Sequence, residues 1–470
     1  MTHSSCFSPG WTVVSTLVVL SLVALLGWTL MSLSPLNRVE HPERALERVA
    51  SRTFEIESAM KKAPEWERNL YKFFEQSDGT LEQVTHWYQE LATYSQEPKV
   101  ALYQAVLHAE TGQINQIEKT VSLWGKAAPP FPLFAQWLEV GYLGTKSEPE
   151  SILDLQAQLA EQIPNNWFYS QLAIRLGKQA GDKAIVMLTE QDLAERGERW
   201  LGRNRLILSA EAGSLIGGIV GMMGLFGLWY HRKSGALMIG EARLPPPWTA
   251  LEGFAVLVRG GALTALLLLG FSFLPVNVAF FQVLTIPILF FPILFFVYRC
   301  LLHPHQLSIR EIFGLRIHAG TGWRFLMVVM ALVGAGLGGD WLIGIGAQEA
   351  GVPMHWANRF DPHFAWGSPL DLAVVLAEYV VLSPFLEECV FRGVIFSTFR
   401  AIVAWPIAVL LSAVVFAGAH GYGVVGFLMV LWSGLLWAWA YEKTGSLLPG
   451  MAAHGLNNLL VSLSLLAFLR

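Results

Sequence analysis

The composition of the chain excludes a purely soluble protein. Hydrophobic residues make up 53% of its 470 residues and charged residues only 14%, whereas soluble domains carry about 25% charged residues. The charges are unevenly distributed: 43 lie in the 172 positions from 38 to 209, and only 25 in the 261 positions that follow. One stretch is therefore predicted to be soluble and the other to lie in lipid. A net charge of −4 does not suggest the basic patch that nucleic-acid binding proteins carry, so no nucleic-acid partner is expected.

Apolar runs long enough to cross a bilayer begin near the amino terminus. A spanning helix needs about 20 mostly apolar residues, and the first such run covers residues 11–33. Because no Lys or Arg precedes it and the run is longer than the core of a signal peptide, residues 1–33 are predicted to form a retained membrane anchor. Further runs lie at 210–231, 249–274, 276–302, 323–345, 370–400, 403–420, 424–441 and 447–469. The predicted fold is all-α, a polytopic membrane bundle of about nine helical spans with an inserted helical soluble domain.

The predicted soluble domain, residues 34–209, has helical periodicity. Residues 101–112 and 169–181 carry apolar side chains at i, i+3 and i+4 spacing, and the segments end at Gly112 and Gly181. These glycines lie 69 positions apart, near twice the period of about 34 residues in TPR repeats. A bundle of helical hairpins is favoured, and a TPR-like array is the alternative. No residue here points to chemistry, so an accessory role in binding or positioning is expected.

Ionisable side chains within the apolar runs are candidates for function, because each costs roughly 2.5–3.5 kcal/mol at the bilayer centre. Arg259, Asp340 and Glu378 are isolated, and we interpret them as snorkelling or helix-pairing residues. The other polar residues form three clusters, in the segments LEECVFR (386–392), FAGAH (416–420) and HGLNN (454–458).

Residue spacing predicts which side chains share a helix face. Glu388 and Arg392 are four positions apart, so an ion pair along the helix is expected. Glu387 is turned about 100° away from Glu388 and finds no partner in this pattern. The same four-residue spacing gives two further pairs, Phe416 with His420 and His454 with Asn458.

The turns predict that these clusters meet. Glu387 and His420 each lie about sixteen residues, or about 24 Å of helix, from a predicted turn at residues 404–406. The final run starts on the same side as that turn, which places His454 about 10 Å and Asn458 about 16 Å into the membrane. Three helices are therefore predicted to bring together a carboxylate, two imidazoles and an amide.

Glu-Glu-x-x-x-Arg, Phe-x-x-x-His and His-x-x-x-Asn, in that order, resemble the motifs of the CPBP family, also called CAAX amino-terminal protease or ABI proteins. This family includes the prenyl-protein endopeptidases of the Ras-converting-enzyme type. The surrounding segments EECVFRG, FAGAHGYG and TGSLLPGMAAHGLNN are similar as well. The resemblance identifies residues 370–470 as a CPBP-type protease core, preceded by further membrane helices at 210–346, and leaves the first 240 residues outside it.

The resemblance implies an intramembrane endopeptidase that cleaves a membrane-associated or lipidated protein or peptide. It also assigns roles: water activation to Glu387 and His420, oxyanion stabilisation to His454 and Asn458, and support of the site to Glu388, Arg392 and Phe416. The chemistry suits these residue types. A carboxylate beside an imidazole can act as a general base, and an imidazole and an amide N–H can donate to an oxyanion.

The cofactor and the rival functions stay open at this point. The family has been described both as metal-dependent and as glutamic-type, and Glu387, His420 and His454 together could hold zinc with one open position. We favour the metal-free glutamic type. The expected partners are the lipid bilayer and a protein or peptide substrate, in the plasma (inner) membrane of a bacterium. The main alternative is a non-catalytic CPBP-like binding or bacteriocin-immunity-type protein.

Two other intramembrane functions fit less well. A serine protease using Ser433 would have glycine where Leu431 stands. A proton-coupled transporter would be expected to contain an internal repeat of broken helices, and no such repeat is visible in the sequence.

Overall fold

The computed structural model describes residues 8–32, 34–75, 80–145, 148–231, 237–273, 278–352 and 354–470. The predicted all-α fold is confirmed: the described residues contain helices and no β-strand. Parts of three predicted membrane segments lie outside the described residues. They are residues 1–7 and 33 of the predicted anchor and positions 274 and 276–277 at the ends of two predicted runs. In chain order the α-helices are α1 (Pro9–Ser32), α2 (Pro42–Met60), α3 (Glu65–Glu75), α4 (Thr80–Tyr94), α5 (Pro98–Glu110), α6 (Ile114–Trp124), α7 (Phe131–Leu138), α8 (Pro149–Gln162), α9 (Trp167–Ala180), α10 (Lys183–Tyr230), α11 (Ala250–Ser272), α12 (Val278–Phe296), α13 (Ile309–Ile312), α14 (Gly322–Glu349), α15 (Pro362–Trp366), α16 (Pro369–Ala377), α17 (Ser383–Glu387), α18 (Ser397–Arg400), α19 (Trp405–Ala419), α20 (Val424–Thr444) and α21 (Leu448–Leu469).

The helices form two compact units. One, named the membrane unit, comprises Met1–Ser34 and Ile207–Leu466. The other comprises Pro35–Leu206 and Ala467–Arg470 and is named the soluble unit after the predicted domain that it covers. The predicted domain boundary at residues 209 and 210 falls inside α10, which is a single helix of 48 residues.

Seven of the described helices are long and apolar enough to cross a membrane, so the chain is an integral, multi-pass membrane protein. They are Lys183–Tyr230, Ala250–Phe271, Thr285–His305, Gly322–Glu349, Pro369–Arg400, Val424–Thr444 and Leu448–Leu469. Two shorter apolar helices, Pro9–Leu25 and Trp405–Ala419, complete the set. The prediction of about nine spans counted these two as spans.

The soluble unit contains both helices predicted from its periodicity. They are α5 and α9, and Gly181 ends α9 in the left-handed conformation with φ of 72°, a conformation that glycine adopts without strain. Aromatic side chains fill the core: the ring of Tyr103 stacks on that of Phe168 with centroids 4.1 Å apart, and Tyr88 packs edge-on against both.

In the membrane unit, the helical stretch from residue 369 to residue 400 carries the first motif. Its three α-helices, α16 to α18, are joined by the π-helical segments Glu378–Leu382 and Glu388–Phe396. Pro384 has no N–H to donate to the carbonyl of Val380. A Cβ on Gly455 would lie only 2.6 Å from that carbonyl oxygen. Glycine at position 455 therefore allows α21 to pack directly against the widened turn, which brings the neighbouring His454 to the first motif.

Candidate active site

Glu388 is the centre of a buried polar cluster. Its Oε1 accepts a hydrogen bond from Nη1 of Arg392 at 2.9 Å and contacts Nδ1 of His454 at 3.1 Å. Glu388 and Arg392 are both 0% exposed. The ion pair predicted from the four-residue spacing is present, and one carboxylate oxygen joins the first motif to the third.

Arg392 makes further contacts with α19 and α20. Its Nη2 donates to the carbonyl of Gly434 at 3.2 Å, and its guanidinium lies 4.1 Å from the ring centroid of Phe416. The centroid of the Trp437 ring lies 5.2 Å from the same guanidinium. Cation–π contacts of this kind are worth about 2 kcal/mol when desolvated. Phe416, predicted only as a supporting residue, therefore faces the cation of the first motif.

Glu387 has one engaged and one open carboxylate oxygen. Oε1 accepts a short hydrogen bond from the hydroxyl of Ser383, one turn earlier in the helix. Oε2 is buried without a hydrogen-bond partner among the described residues and lies 3.7 Å from Nε2 of His454. That distance is too long for a direct hydrogen bond. The sequence pattern gave Glu387 no partner, and the structure corrects this with Ser383.

The two histidines are oriented by contacts at Nδ1. At the end of α19, Nδ1 of His420 donates to the carbonyl of Phe416 at 2.8 Å, which leaves Nε2 as the acceptor of a neutral ring. The Nδ1 atom of His454 contacts Glu388. The indole of Trp437 stacks on the His454 ring, with the ring centroids 3.9 Å apart and the ring planes inclined by 17°. Both rings also touch Phe416, at 4.6 Å and 6.0 Å between centroids.

Asn458 lies one turn after His454 on α21 and is fixed by a different partner. Its amide Nδ2 donates to the carbonyl of Tyr379 at 2.9 Å. The Tyr379 hydroxyl in turn donates to Asp361 at 3.1 Å, the residue that caps α15. One proton of the Asn458 amide is therefore committed to the backbone, and its second remains for another acceptor.

Sequence reasoning missed three contributors to this cluster. Ser383 stands four positions before Glu387, so the spacing rule that paired Glu388 with Arg392 could have found it. Trp437 and Gly434 lie on α20, and no signal within the chain indicates that they meet His454 and Arg392.

The zinc alternative can be tested against the placement of these side chains. A catalytic zinc site uses three protein ligands. In the described part of the chain, no group of three or more His, Cys, Asp or Glu side chains is arranged to hold a metal ion. Nδ1 of His454 faces Glu388, and its Nε2 faces Glu387. As placed, these residues form no three-ligand set, and the mechanism below is derived from the chain's own groups.

The order of the three motifs agrees with a known family. Residues 369–460 match the family model for type II CAAX prenyl endopeptidase Rce1-like. This match confirms the resemblance to CAAX-type proteases and supports an intramembrane protease activity in general terms. It includes all seven predicted site residues and also Ser383, Gly434 and Trp437. No curated protein and no solved structure gives a significant match to the chain.

Proposed function

We propose that this protein is an intramembrane endopeptidase that hydrolyses a peptide bond in a membrane-associated or lipidated substrate, using Glu387 as the general base. The observation that carries the proposal is the gap between Oε2 of Glu387 and Nε2 of His454. Both atoms are buried, and they lie 3.7 Å apart. A water in this gap is held by groups that can take up its proton and stabilise the charge that develops on the substrate.

The attacking water is activated by two acceptors. It donates one proton to Oε2 of Glu387 and the other towards Nε2 of His420, whose Nδ1 is already committed to the Phe416 carbonyl. Its lone pair is then directed at the scissile carbonyl carbon, and Glu387 receives the proton as the C–O bond forms. Ser383 holds the other oxygen of Glu387, so the carboxylate does not rotate away from the water.

Charge balance supports a cationic His454 during the reaction. Glu387 and Glu388 contribute two negative charges and Arg392 one positive charge, so a protonated His454 makes the cluster neutral. In that state Nδ1–H donates to Glu388 and Nε2–H is available for the oxyanion. The second amide proton of Asn458 is the other proposed oxyanion donor. After collapse of the intermediate, protonated Glu387 gives its proton to the leaving amine.

The deciding experiment compares two glutamates of the same helical stretch. In purified protein reconstituted into nanodiscs, Glu387→Gln should lower kcat by about 10²–10⁴-fold, the range for loss of a general base. The matched control Glu378→Gln should keep activity near that of the wild type, because Glu378 stands outside the cluster. The substrates are fluorophore-labelled peptides with and without a farnesylated cysteine near the carboxyl end, and cleavage is located by mass spectrometry.

The result also separates this proposal from the immunity-type alternative. A non-catalytic binding protein would keep its cellular phenotype in the Glu387→Gln variant and would cleave none of the peptides. Cleavage at the wild-type rate by Glu387→Gln would show that another group activates the water and would overturn the proposed mechanism.

A further inference from the structure

The soluble unit contains a cavity of about 730 Å³, open to solvent on one side, between α2, the start of α5, the start of α9 and α10. This volume lies in the range of pockets that bind small molecules, about 300–1,000 Å³. Its lining is strongly polar, with five basic and four glutamate side chains. The function proposed above makes no use of this cavity.

One wall of the cavity is a row of arginines. Arg44, Arg48 and Arg52 are spaced by four residues on α2, so they lie on one helix face. Like charges at this spacing repel one another. The guanidinium of Arg52 stacks on the Trp200 ring at 4.1 Å, which fixes its orientation. Burial, with a smaller effect from the charge of Arg48, lowers the pKa of Arg52 to about 10. The charge of Glu55 acts in the opposite direction on the pKa of Arg52 and is outweighed by these two effects.

Two of the glutamates in the cavity are bound by other groups. Both oxygens of Glu55 accept hydrogen bonds at 2.8 Å, one from Arg196 and one from the indole of Trp200. Glu47 accepts from the amide of Asn166 at 2.7 Å. These contacts stabilise the walls and leave the arginine row to face the cavity.

Arg52 donates a hydrogen bond to a neutral acceptor, the carbonyl of Phe468, within the soluble unit. A carbonyl oxygen satisfies an N–H donor without neutralising the charge on the guanidinium. An anion would satisfy both requirements, and guanidinium groups match the planar geometry of carboxylate and phosphate oxygens.

A second, independent feature lies on the same face of α2. Ser51 lines the cavity and is only 5% exposed, yet its hydroxyl has no hydrogen-bond partner among the described residues. Buried polar groups are nearly always hydrogen-bonded, so an unpartnered hydroxyl calls for an explanation. A ligand oxygen in the cavity next to Arg48 and Arg52 would supply the missing partner.

We propose that this cavity binds a small molecule bearing a carboxylate or phosphate group, held by the guanidinium groups of Arg48 and Arg52 and by the hydroxyl of Ser51. The shared chemistry is that of an oxyanion. The four glutamates of the lining exclude ligands that are negatively charged over their whole surface, so the anionic group should be confined to one end of the molecule.

Isothermal titration calorimetry on the full-length protein tests this proposal at constant ionic strength. The probes are inorganic phosphate, N-acetylalanine as a carboxylate, and its neutral amide as the control. At least one oxyanion should bind with one-to-one stoichiometry and a dissociation constant below about 1 mM, and the amide should not. The response to phosphate and to N-acetylalanine distinguishes the two sources of oxyanion. If neither binds, the proposal is overturned.

Variants assign the binding to the cavity. Arg52→Gln should weaken binding at least about tenfold, equivalent to about 1.4 kcal/mol, and Ser51→Ala should weaken it severalfold. The matched control Lys119→Gln removes an exposed cation of α6 outside the cavity and should bind like the wild type. Circular dichroism checks folding, and Arg52→Lys, which keeps the charge, should show an intermediate affinity. Wild-type binding by both Arg52→Gln and Ser51→Ala would refute the site.

Discussion

The ion pair between Glu388 and Arg392 should be strongly coupled, and a double-mutant cycle measures this coupling. Glu388→Gln is the most selective perturbation, because a glutamine Oε1 can still accept from Nδ1 of His454 while the ion pair is lost. The glutamine amide would then point a donor at the Arg392 guanidinium, which is also a donor. Arg392→Gln removes the cation and leaves Glu388 with His454 alone.

The magnitude follows from burial. Both side chains are at most 1% exposed and lie 2.9 Å apart, and removing one partner of a buried pair costs about 3–5 kcal/mol. The double variant removes both buried charges. It also removes the free-energy cost of desolvating Glu388 Oε2, which has no hydrogen-bond partner among the described residues. We therefore expect the double variant to lose about as much unfolding free energy as one single variant. The coupling energy should be about 3 kcal/mol, at the upper end of measured values.

Reversible unfolding in mixed detergent micelles, followed by circular dichroism, gives the four free energies of the cycle. The matched control is the pair Lys178–Glu190 in the soluble unit, 3.9 Å apart and more than half exposed. Because water screens this pair, its coupling should be about 0.2–1 kcal/mol. Proteolytic activity should follow the same pattern, with the double variant less impaired than the two single losses combined. Additivity within about 0.5 kcal/mol for Glu388 and Arg392 would refute the coupling.

Three further predictions follow from the contacts described above. Ser383→Ala should lower kcat about tenfold with little change in KM, because a hydrogen bond to a charged group is worth about 1.5–3 kcal/mol; an unchanged kcat would remove the positioning role of Ser383. Activity measured after incubation with 1,10-phenanthroline should equal that of untreated protein, and inactivation reversed by added zinc would instead show a metal enzyme. In the soluble unit, Arg196→Gln should lower the unfolding free energy by about 3–5 kcal/mol because it leaves Glu55 buried without its cation, whereas exposed Lys178→Gln should change it by less than about 0.5 kcal/mol. Equal stability of these two variants in chemical unfolding would contradict the buried pair.

Residue spacing predicted the contacts that form within one helix. Glu388 and Arg392 meet as expected, although the stretch that carries them is π-helical from Glu388 onward. Arg259 also behaves as a helix-pairing residue, since it donates to the carbonyl of Ser8 and the hydroxyl of Thr12 on α1. In both cases a charged side chain within an apolar run contacts a polar partner. The need for such a partner can be inferred from the sequence, because an unpaired charge in the membrane is energetically costly.

Contacts between helices were less accessible to sequence reasoning. The estimated depths predicted that the three motifs converge, and the first and third motifs do meet, but the depths did not indicate which atoms would touch. His454 was paired with Asn458 through the face that they share, whereas the structure turns its Nδ1 to Glu388 and stacks its ring on Trp437. The rotation of α20 and α21 about their axes decides these contacts. That rotation depends on packing details such as the close approach at Gly455.

The i, i+4 placement of Glu388 and Arg392 also has a consequence for biosynthesis. Because both charges belong to one helix, they can neutralise each other as that helix enters the bilayer, before any later helix is made. At that stage the partner of Glu387 is the hydroxyl of Ser383. Glu387 faces His454 only after α21 has been synthesised and packed. The structural carboxylate is therefore protected from the outset. The proposed catalytic carboxylate is completed later, so the nascent membrane protein carries no working protease until its helices have assembled.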